Sequence, residues 1–180
     1  MRSRIALVPI AAFVALLSGC GLVRNLTATI PATPSVAFRV ISPTKEHQAR
    51  FYNVPAQNVV FRTQSDVDNF LATLPIRARD GQGNPVPETL PPIDFSQEQG
   101  VLVLFGPQSH GGYSGEISAF EEQPSRFLVH PVRLLPSDEG GYLQAIVYPY
   151  QYIAIPRSEK PVEFAATVDR TSPGPWWSFF

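Results

Sequence analysis

The order of apolar and polar residues after residue 35 predicts strands far more often than helices. Short runs rich in Val, Ile, Phe and Tyr alternate with clusters of Pro, Gly, Ser and Asp, as expected of strands joined by turns. Nine strands are predicted: Val36–Ile41, Gln48–Val54, Gln57–Arg62, Val101–Phe105, Ser114–Phe120, Arg126–Leu135, Tyr142–Tyr148, Gln151–Ile155 and Val162–Val168. The run Val101–Phe105 has the sequence VLVLF, which is apolar on both faces and therefore indicates a central strand.

One segment has the period of a helix instead. Its apolar residues recur at helical spacing on one face: Val67, Phe70, Leu71 and Leu74. Ser65 can cap the first turn, Asp66 and Asp68 favour its positive amino end, and Pro75 ends it. The Pro- and Gly-rich stretch Arg79–Pro92 that follows is predicted to be a surface loop.

About nine strands and one short helix predict a mainly β fold, a single β-rich sandwich or open barrel. The chain has 180 residues, of which 44% are hydrophobic, so a sizeable core can form. A single cysteine allows no internal disulfide, so packing must provide the stability.

The first twenty residues have the features of an export signal. Arg2 and Arg4 precede an apolar stretch at 5–17, which is too short to span a bilayer. The stretch ends in the tetrapeptide LSGC, whose last residue is Cys20. This pattern resembles the lipobox of bacterial lipoproteins, in which diacylglycerol is attached to the Cys thiol before cleavage leaves that Cys as the first residue.

This signal predicts three segments and a location. Residues 1–19 are expected to be removed as a signal peptide, 20–35 to form the lipidated Cys20 and a flexible tether, and 36–180 to fold as the β-rich domain. Acyl chains such as palmitate would anchor the protein to a membrane at the extracytoplasmic face of the cell envelope. A net charge of −1 predicts no nucleic-acid partner.

The stretch FGPQSHGGYSGEI at 105–117 is the strongest candidate for a functional site. The candidate binding loop within it consists of His110, Gly111, Gly112, Tyr113 and Ser114. A His-Gly-Gly sequence flanked by Ser109 and Ser114 could form an oxyanion loop with a nucleophile. The hydrolase elbow G-x-S-x-G is incomplete, however, because Glu116 stands in place of its last glycine and no helical pattern follows.

The alternative is a tight turn without chemistry. Successive glycines permit a positive φ or a close backbone approach, and the flanking strands predict a hairpin. Tyr113 either packs inward, with its hydroxyl bonded to a neighbouring strand, or offers its ring to a partner. The three histidines, His47, His110 and His130, are isolated from one another, so neither a metal site nor a cofactor is predicted.

Six short motifs occur in order between residues 58 and 168. They are Val60-Phe61-Arg62 with the helix through Leu74, Leu90–Gln99 with its D-F-S segment, Val101–Phe105 with Gly106, Gly111-Gly112-Tyr113-Ser114, Tyr148-Pro149-Tyr150, and Ile153-Ala154-Ile155-Pro156. Their order and spacing resemble those of the C-terminal domain family of the protease complex subunit PrcB. The chain departs from that pattern at His110, where the family has Thr, and at Gly115, where it has an apolar residue.

The resemblance implies a lipoprotein-borne or secreted accessory domain. The protein that gives the family its name associates with a cell-surface serine protease complex and helps to stabilise it, and no catalytic residues come with the resemblance. The predicted function is therefore protein binding without catalysis. Two alternatives stay open: a serine hydrolase that uses Ser114 or Ser109 with His110, and a chagasin-like protease inhibitor that uses the 107–115 loop.

Both tryptophans of the chain lie within its last five residues. The aromatic residues of this tail are Trp176, Trp177, Phe179 and Phe180. The tail is expected to fold back over an open sheet edge or the mouth of the core. The alternative is an exposed aromatic patch that contacts a partner or a membrane interface.

Overall fold

The computed structural model describes residues 35–43, 51–75, 78–79, 81–137 and 141–172. The strands in these residues are β1 (Arg39–Ser42), β2 (Gln57–Phe61), β3 (Ala78–Arg79), β4 (Pro85–Val86), β5 (Glu98–Leu104), β6 (Ser114–Glu122), β7 (Phe127–Leu135), β8 (Tyr150–Pro156), β9 (Val162–Phe164) and β10 (Val168–Thr171). One helix, α1 (Gln64–Ala72), follows β2. The predicted fold class, mainly β with one short helix, is confirmed.

Two sheets contain most of the strands. The first has the order β1-β8-β5-β2, and every neighbouring pair in it is antiparallel. The second has the order β10-β7-β6, and β9 also pairs with β7. Strands β3 and β4 form a separate two-stranded hairpin. In the described part of the chain the sheets do not close into a barrel, so the arrangement is that of a sandwich.

Strand β5 lies between two apolar layers, which explains why VLVLF is apolar at every position. The layer between the two sheets contains Val101, Val103, Phe105, Ile117, Phe120, Phe127, Val129, Ile153 and Ile155. The layer on the other face of the first sheet contains Leu102, Leu104, Tyr150, Tyr152, Phe51, Phe61, Val67 and Ile93. Helix α1 covers that second layer with Val67, Phe70 and Leu71, and Leu74 packs there from just beyond the end of the helix. The prediction of a central strand is confirmed.

Strands β9 and β10 follow one another along one edge of β7, and both run parallel to it. Arg133 of β7 donates two hydrogen bonds to the carboxylate of Asp169 in β10, with Nε–Oδ1 and Nη2–Oδ2 distances of 2.9 and 2.7 Å. The single strand predicted at Val162–Val168 is therefore wrong. Two short strands replace it, because the chain shifts along β7 at residues 165–167.

The helix begins two residues earlier than predicted, since Thr63 rather than Ser65 is its N-cap. The Thr63 hydroxyl accepts the backbone N–H of Asp66 at 3.2 Å, and the Asp66 carboxylate accepts the N–H groups of Thr63 and Arg62 at 2.9 Å each. Asp68 follows Ser65 by three residues, as Asp66 follows Thr63. Its carboxylate accepts a hydrogen bond from the Gln64 side chain instead of a backbone N–H. The Asp66 carboxylate therefore stabilises the first turn through two backbone groups.

This cap makes part of the stability dependent on pH. Bonding to the N–H of Arg62 lowers the pKa of Asp66 below its ordinary value of 3.8. The contribution of the Asp66 carboxylate to the stability is complete above the pKa that this group has in the unfolded chain. It is lost as the pH falls through the lower pKa that the group has in the folded state. We expect Asp66→Asn to cost about 0.5–1 kcal/mol at neutral pH and to flatten the fall of stability between about pH 5 and pH 2.

Urea unfolding of both proteins across that pH range measures this effect. The matched control is Asp68→Asn, which leaves the Asp66 carboxylate in place and should keep the wild-type pH dependence. Identical pH profiles for the wild type and Asp66→Asn would contradict this role.

Three other predicted elements differ from the structure. Residues 51–54 form a turn rather than the end of a strand, with Asn53 in the left-handed region at φ 57°. The predicted strand at 142–148 is irregular apart from a single bridge at Val147. The predicted surface loop Arg79–Pro92 contains the β3–β4 hairpin.

Several predictions concern residues outside the described ranges. The signal peptide 1–19, the lipid-attachment site Cys20, the tether up to residue 34, His47 and the aromatic tail (Trp176, Trp177, Phe179 and Phe180) are among them. All described residues belong to one compact unit, Ala32–Phe180. The described helix is too short to cross a membrane.

Candidate functional site

The loop at 105–113 joins two different sheets, so the predicted hairpin turn is wrong. Strand β5 before it belongs to the first sheet, and β6 after it belongs to the second. The loop pairs instead with residues 141–149, which precede β8. We call 105–113 and 141–149 the paired loops.

Backbone hydrogen bonds join the paired loops along their length. The bonded pairs, donor first, are Phe105 to Pro149 at 3.0 Å, Gln108 to Val147 at 2.8 Å, Val147 to Gln108 at 3.1 Å and Gly111 to Leu143 at 2.9 Å. The Gln108 side chain also donates to the Phe105 carbonyl at 3.0 Å. These bonds satisfy backbone groups that no regular strand pairs, and they fix the positions of the side chains around them.

His110 lies between two tyrosine rings. Its ring centroid is 4.8 Å from that of Tyr113 and 5.3 Å from that of Tyr142, which stacks on it at 24°. Its Nδ1 accepts the backbone N–H of Gly112 at 3.4 Å. The Tyr142 hydroxyl donates to the Ser137 carbonyl at 2.7 Å. His110 therefore packs as a ring within the paired loops, and its Nδ1 already has a backbone partner.

Two glycines in this stretch are required by close approach. A Cβ at Gly112 would lie 2.5 Å from the Tyr142 ring, and a Cβ at Gly115 would lie 2.1 Å from the buried Phe105 ring. The left-handed backbone in this region occurs at Gly106, with φ 72°, rather than at either glycine that follows His110. Phe105 fills the space that a side chain at position 115 would need.

A shallow groove of about 280 Å³ opens beside the paired loops. Its lining consists of Pro43, Tyr113, Ser114, Gly115, Val147, Tyr148, Pro149 and Tyr150. The Tyr148 hydroxyl donates to Asn53 Oδ1 at 2.8 Å, and its ring packs edge-on against Tyr52 with centroids 5.4 Å apart. The hydroxyl of Tyr150, which also lines the groove, is joined to the Ser42 hydroxyl by a buried hydrogen bond. The groove is thus largely apolar, with fixed aromatic walls.

Two large apolar side chains stand out from the paired loops. Leu143 is 69% exposed and Ile146 is 62% exposed, and the Leu143 carbonyl accepts the backbone N–H groups of Gly111 and Ala145. Tyr113 and Tyr148 are half-buried and line the groove, together with Val147. We call Tyr113, Leu143, Ile146, Val147 and Tyr148 the paired-loop surface. Exposed aliphatic and tyrosine side chains on a fixed backbone are typical of contact surfaces.

The hydrolase candidates are close in sequence but are not joined in the structure. In the described ranges, neither Ser109 nor Ser114 makes a side-chain hydrogen bond to a histidine. His130 lies on β7, where its Nε2 is 3.2 Å from Glu121 Oε1 without the angle of a hydrogen bond. Ser114 is exposed at the start of β6, and no described histidine lies within hydrogen-bonding distance of its hydroxyl.

No cluster of three or more metal-binding side chains occurs among the residues placed by the structure. Tyr113 has its ring against His110, and no hydrogen bond from its hydroxyl to a neighbouring strand is present in the described chain. Its position therefore combines packing by the ring with access to the groove.

Sequence reasoning missed half of the candidate site. The sequence predicts a strand at 142–148, which would turn alternate side chains into the core. The signal against a strand is the pair of consecutive apolar residues Tyr142-Leu143 and the run Ile146-Val147-Tyr148, which break the alternation.

Comparison of the chain with protein-family models, with curated proteins and with solved structures gives no significant match.

Proposed function

We propose that the chain is a lipid-anchored, extracytoplasmic accessory domain that binds another protein through the paired-loop surface. In this proposal the partner belongs to a cell-surface protease complex, as the resemblance to the PrcB C-terminal domain family implies. The domain itself catalyses no reaction, and Cys20 carries the lipid.

One observation carries the proposal: two motifs of the resemblance that are distant in sequence meet in one groove. Tyr113 and Ser114 come from the G-G-Y-S motif, and Tyr148, Pro149 and Tyr150 come from the later P-Y motif. A single surface built from both motifs is consistent with a shared binding role. Its exposed apolar residues and tyrosines are the side chains that dominate the cores of protein interfaces.

The anchor point of the domain supports the same proposal. Ser35, the last residue of the predicted tether and the first that the structure describes, pairs with Glu121 near the end of β6, and Val36 N donates to the Phe120 carbonyl at 2.8 Å. The paired loops lie at the other end of β6, beside Ser114. Seven residues of strand separate the two ends by about 23 Å. An anchored domain would therefore hold its binding surface away from its attachment point.

Chemical crosslinking in the native membrane, followed by identification of the captured protein, tests the partner. Recovery of a cell-surface protease supports the proposal, and recovery of nothing above the uncrosslinked background contradicts it.

The lipid anchor has a separate test. The substitution Cys20→Ser removes the thiol that would carry the lipid, so it should release the chain from the membrane fraction if Cys20 is the attachment site.

The non-catalytic part of the proposal has its own test. We expect a serine-reactive phosphonate probe to leave the purified chain unlabelled, because Ser114 and Ser109 lack a histidine hydrogen bond in the described residues. A chain unfolded in urea serves as the control for non-specific labelling. Labelling of the folded chain that is abolished by Ser114→Ala would establish the hydrolase alternative instead.

A further inference from the structure

We propose that β2 is a docking edge, to which an extended, uncharged segment of another protein adds as a further strand. Strand β2 (Gln57–Phe61) is the outermost strand of the first sheet and pairs on one side only, with β5. An edge strand presents a row of free N–H and C=O groups, and an extended backbone is the structure that matches both. This edge contains no residue of the paired-loop surface, so its role is independent of the proposed function.

The bonding of β5 shows which of its residues face β2. In antiparallel sheets, successive residues of a strand bond alternately to the two neighbouring strands. The N–H of Phe105, the residue after β5, donates to the carbonyl of Pro149, the residue before β8, at 3.0 Å. At the other end of β5 the Gln97 carbonyl accepts the Arg157 N–H at 2.8 Å. Odd-numbered residues of β5 therefore bond on the side of β8, and even-numbered residues bond on the side of β2.

The same alternation leaves Asn58 and Val60 directed away from the sheet. The even-numbered residues of β5 are paired with Gln57, Val59 and Phe61. Asn58 and Val60 lie between these three, so their N–H and C=O groups point to the open side. Arg62 continues the series, and its N–H donates to the Asp66 carboxylate at 2.9 Å rather than to a strand. In the described chain no hydrogen bond satisfies the four outward groups of Asn58 and Val60.

The other edges of the two main sheets have features that oppose the addition of a strand. Strands β1 and β6 are interrupted by register shifts, and β6 is also bridged by Ser35. Strand β9 carries Glu163, and β10 carries Asp169 and Arg170. Strand β2 has the sequence QNVVF, without a charged residue or Pro, and pairs with β5 in unbroken register. Among the described edges of these two sheets, β2 is the one suited to add a strand.

A groove of about 330 Å³ beside β2 can receive alternate side chains of the added strand. Its walls include Gln57 and Asn58 of β2 on one side and Thr167 and Asp169 on the other, so it lies between the edges of the two sheets. Arg133 also lines it and donates two hydrogen bonds to the Asp169 carboxylate, so these two charges neutralise one another. The remaining polar groups of these walls are neutral amides and a hydroxyl. An uncharged segment therefore suits the groove better than a charged one.

Amide hydrogen exchange of the purified chain, followed by NMR, tests the proposal. The probe is the blocked peptide acetyl-Thr-Val-Thr-Val-Thr-amide, which is uncharged and favours an extended backbone. In the free chain we expect the outward amides of Asn58 and Val60 to exchange rapidly, whereas those of Val59 and Phe61 are protected. Peptide at about ten times its dissociation constant should slow exchange at Asn58 and Val60 about tenfold. The same peptide N-methylated at every residue should have no effect, because it cannot donate a hydrogen bond.

The variant Asn58→Pro removes an outward N–H that the sheet does not use, so the domain should still fold. Val60 should then lose its protection by the peptide. The matched control is Asn58→Ala, which keeps the N–H and should keep that protection. Equal loss in the two variants would indicate a side-chain site and would overturn strand addition. If Asn58→Pro does not fold, the N-methylated peptide decides, since equal slowing by both peptides would also overturn it.

Three further results would overturn the proposal. Slow exchange of Asn58 and Val60 in the free chain at every protein concentration would show that the chain covers its own edge. Protection that rises with protein concentration in the absence of peptide would show pairing with a second copy. Unchanged exchange at millimolar peptide would show that the edge does not accept a strand. Each of these results leaves capture of a protease partner by the paired-loop surface unaffected, so the two proposals can fail separately.

Discussion

Gly115→Ala is expected to lower the free energy of unfolding by about 2–3 kcal/mol. The new Cβ would lie 2.1 Å from the ring of Phe105, which is buried in the layer between the two sheets. The ring is held by its packing in that layer, and the backbone is held by the bond from the Phe105 N–H to the Pro149 carbonyl. Thermal unfolding should show the melting temperature reduced by roughly 4–12 °C.

Gly111→Ala is the matched control for this change. Its Cβ would have ordinary contacts, with nothing nearer than 3.4 Å, and its backbone is not left-handed. We expect it to alter stability by less than about 1 kcal/mol. The smaller side chain in Phe105→Leu should make room for the new Cβ and partly compensate Gly115→Ala. The losses of stability caused by the two substitutions should therefore not add. Additive effects, or equal effects of the two alanine substitutions, would show that the close approach at Gly115 does not matter.

Leu143→Asp combined with Ile146→Asp is expected to weaken capture of the partner by more than about 30-fold, equivalent to about 2 kcal/mol. Both side chains are exposed in the free domain, so the substitutions should leave its folding intact. In a complex they would place two carboxylates in an apolar contact, where burial of an unpaired charge is unfavourable. Titration of the purified chain against the captured protease measures the loss.

The control for this variant is Val86→Asp, which adds one carboxylate at an exposed apolar position outside the paired loops. Equal loss of affinity in both variants would indicate a general effect of charge rather than a defined surface. Unchanged affinity in the double variant would place the binding site elsewhere.

The fold class could be predicted from the sequence because it depends on periodicity. VLVLF at 101–105 is central because both of its faces are covered, and Val67, Phe70 and Leu71 pack on the core at helical spacing. The pairing of β9 and β10 in parallel with β7 could not be predicted in this way. Strand pairing depends on long-range contacts, and no local pattern marks a partner.

The candidate site was predictable in one half only. The G-G-Y-S motif directed attention to His110, Tyr113 and Ser114, and the structure does place Tyr113 and Ser114 in a groove. The other half, Leu143 to Tyr148, depends on backbone bonds between two irregular segments. Such segments carry neither strand nor helix periodicity, so their pairing appears only in three dimensions. Likewise, the reason for Gly115 is the distant ring of Phe105.

Site-specific photocrosslinking in the native membrane is the most direct test of the central claim that the paired-loop surface binds a protein partner. A photoreactive amino acid is placed at position 143 in one protein and at position 86 in another, since both native side chains are exposed. The account predicts a light-dependent adduct with a cell-surface protease subunit from position 143 and none from position 86. The same adducts from both positions, or no adduct from position 143 above the unirradiated background, would contradict it.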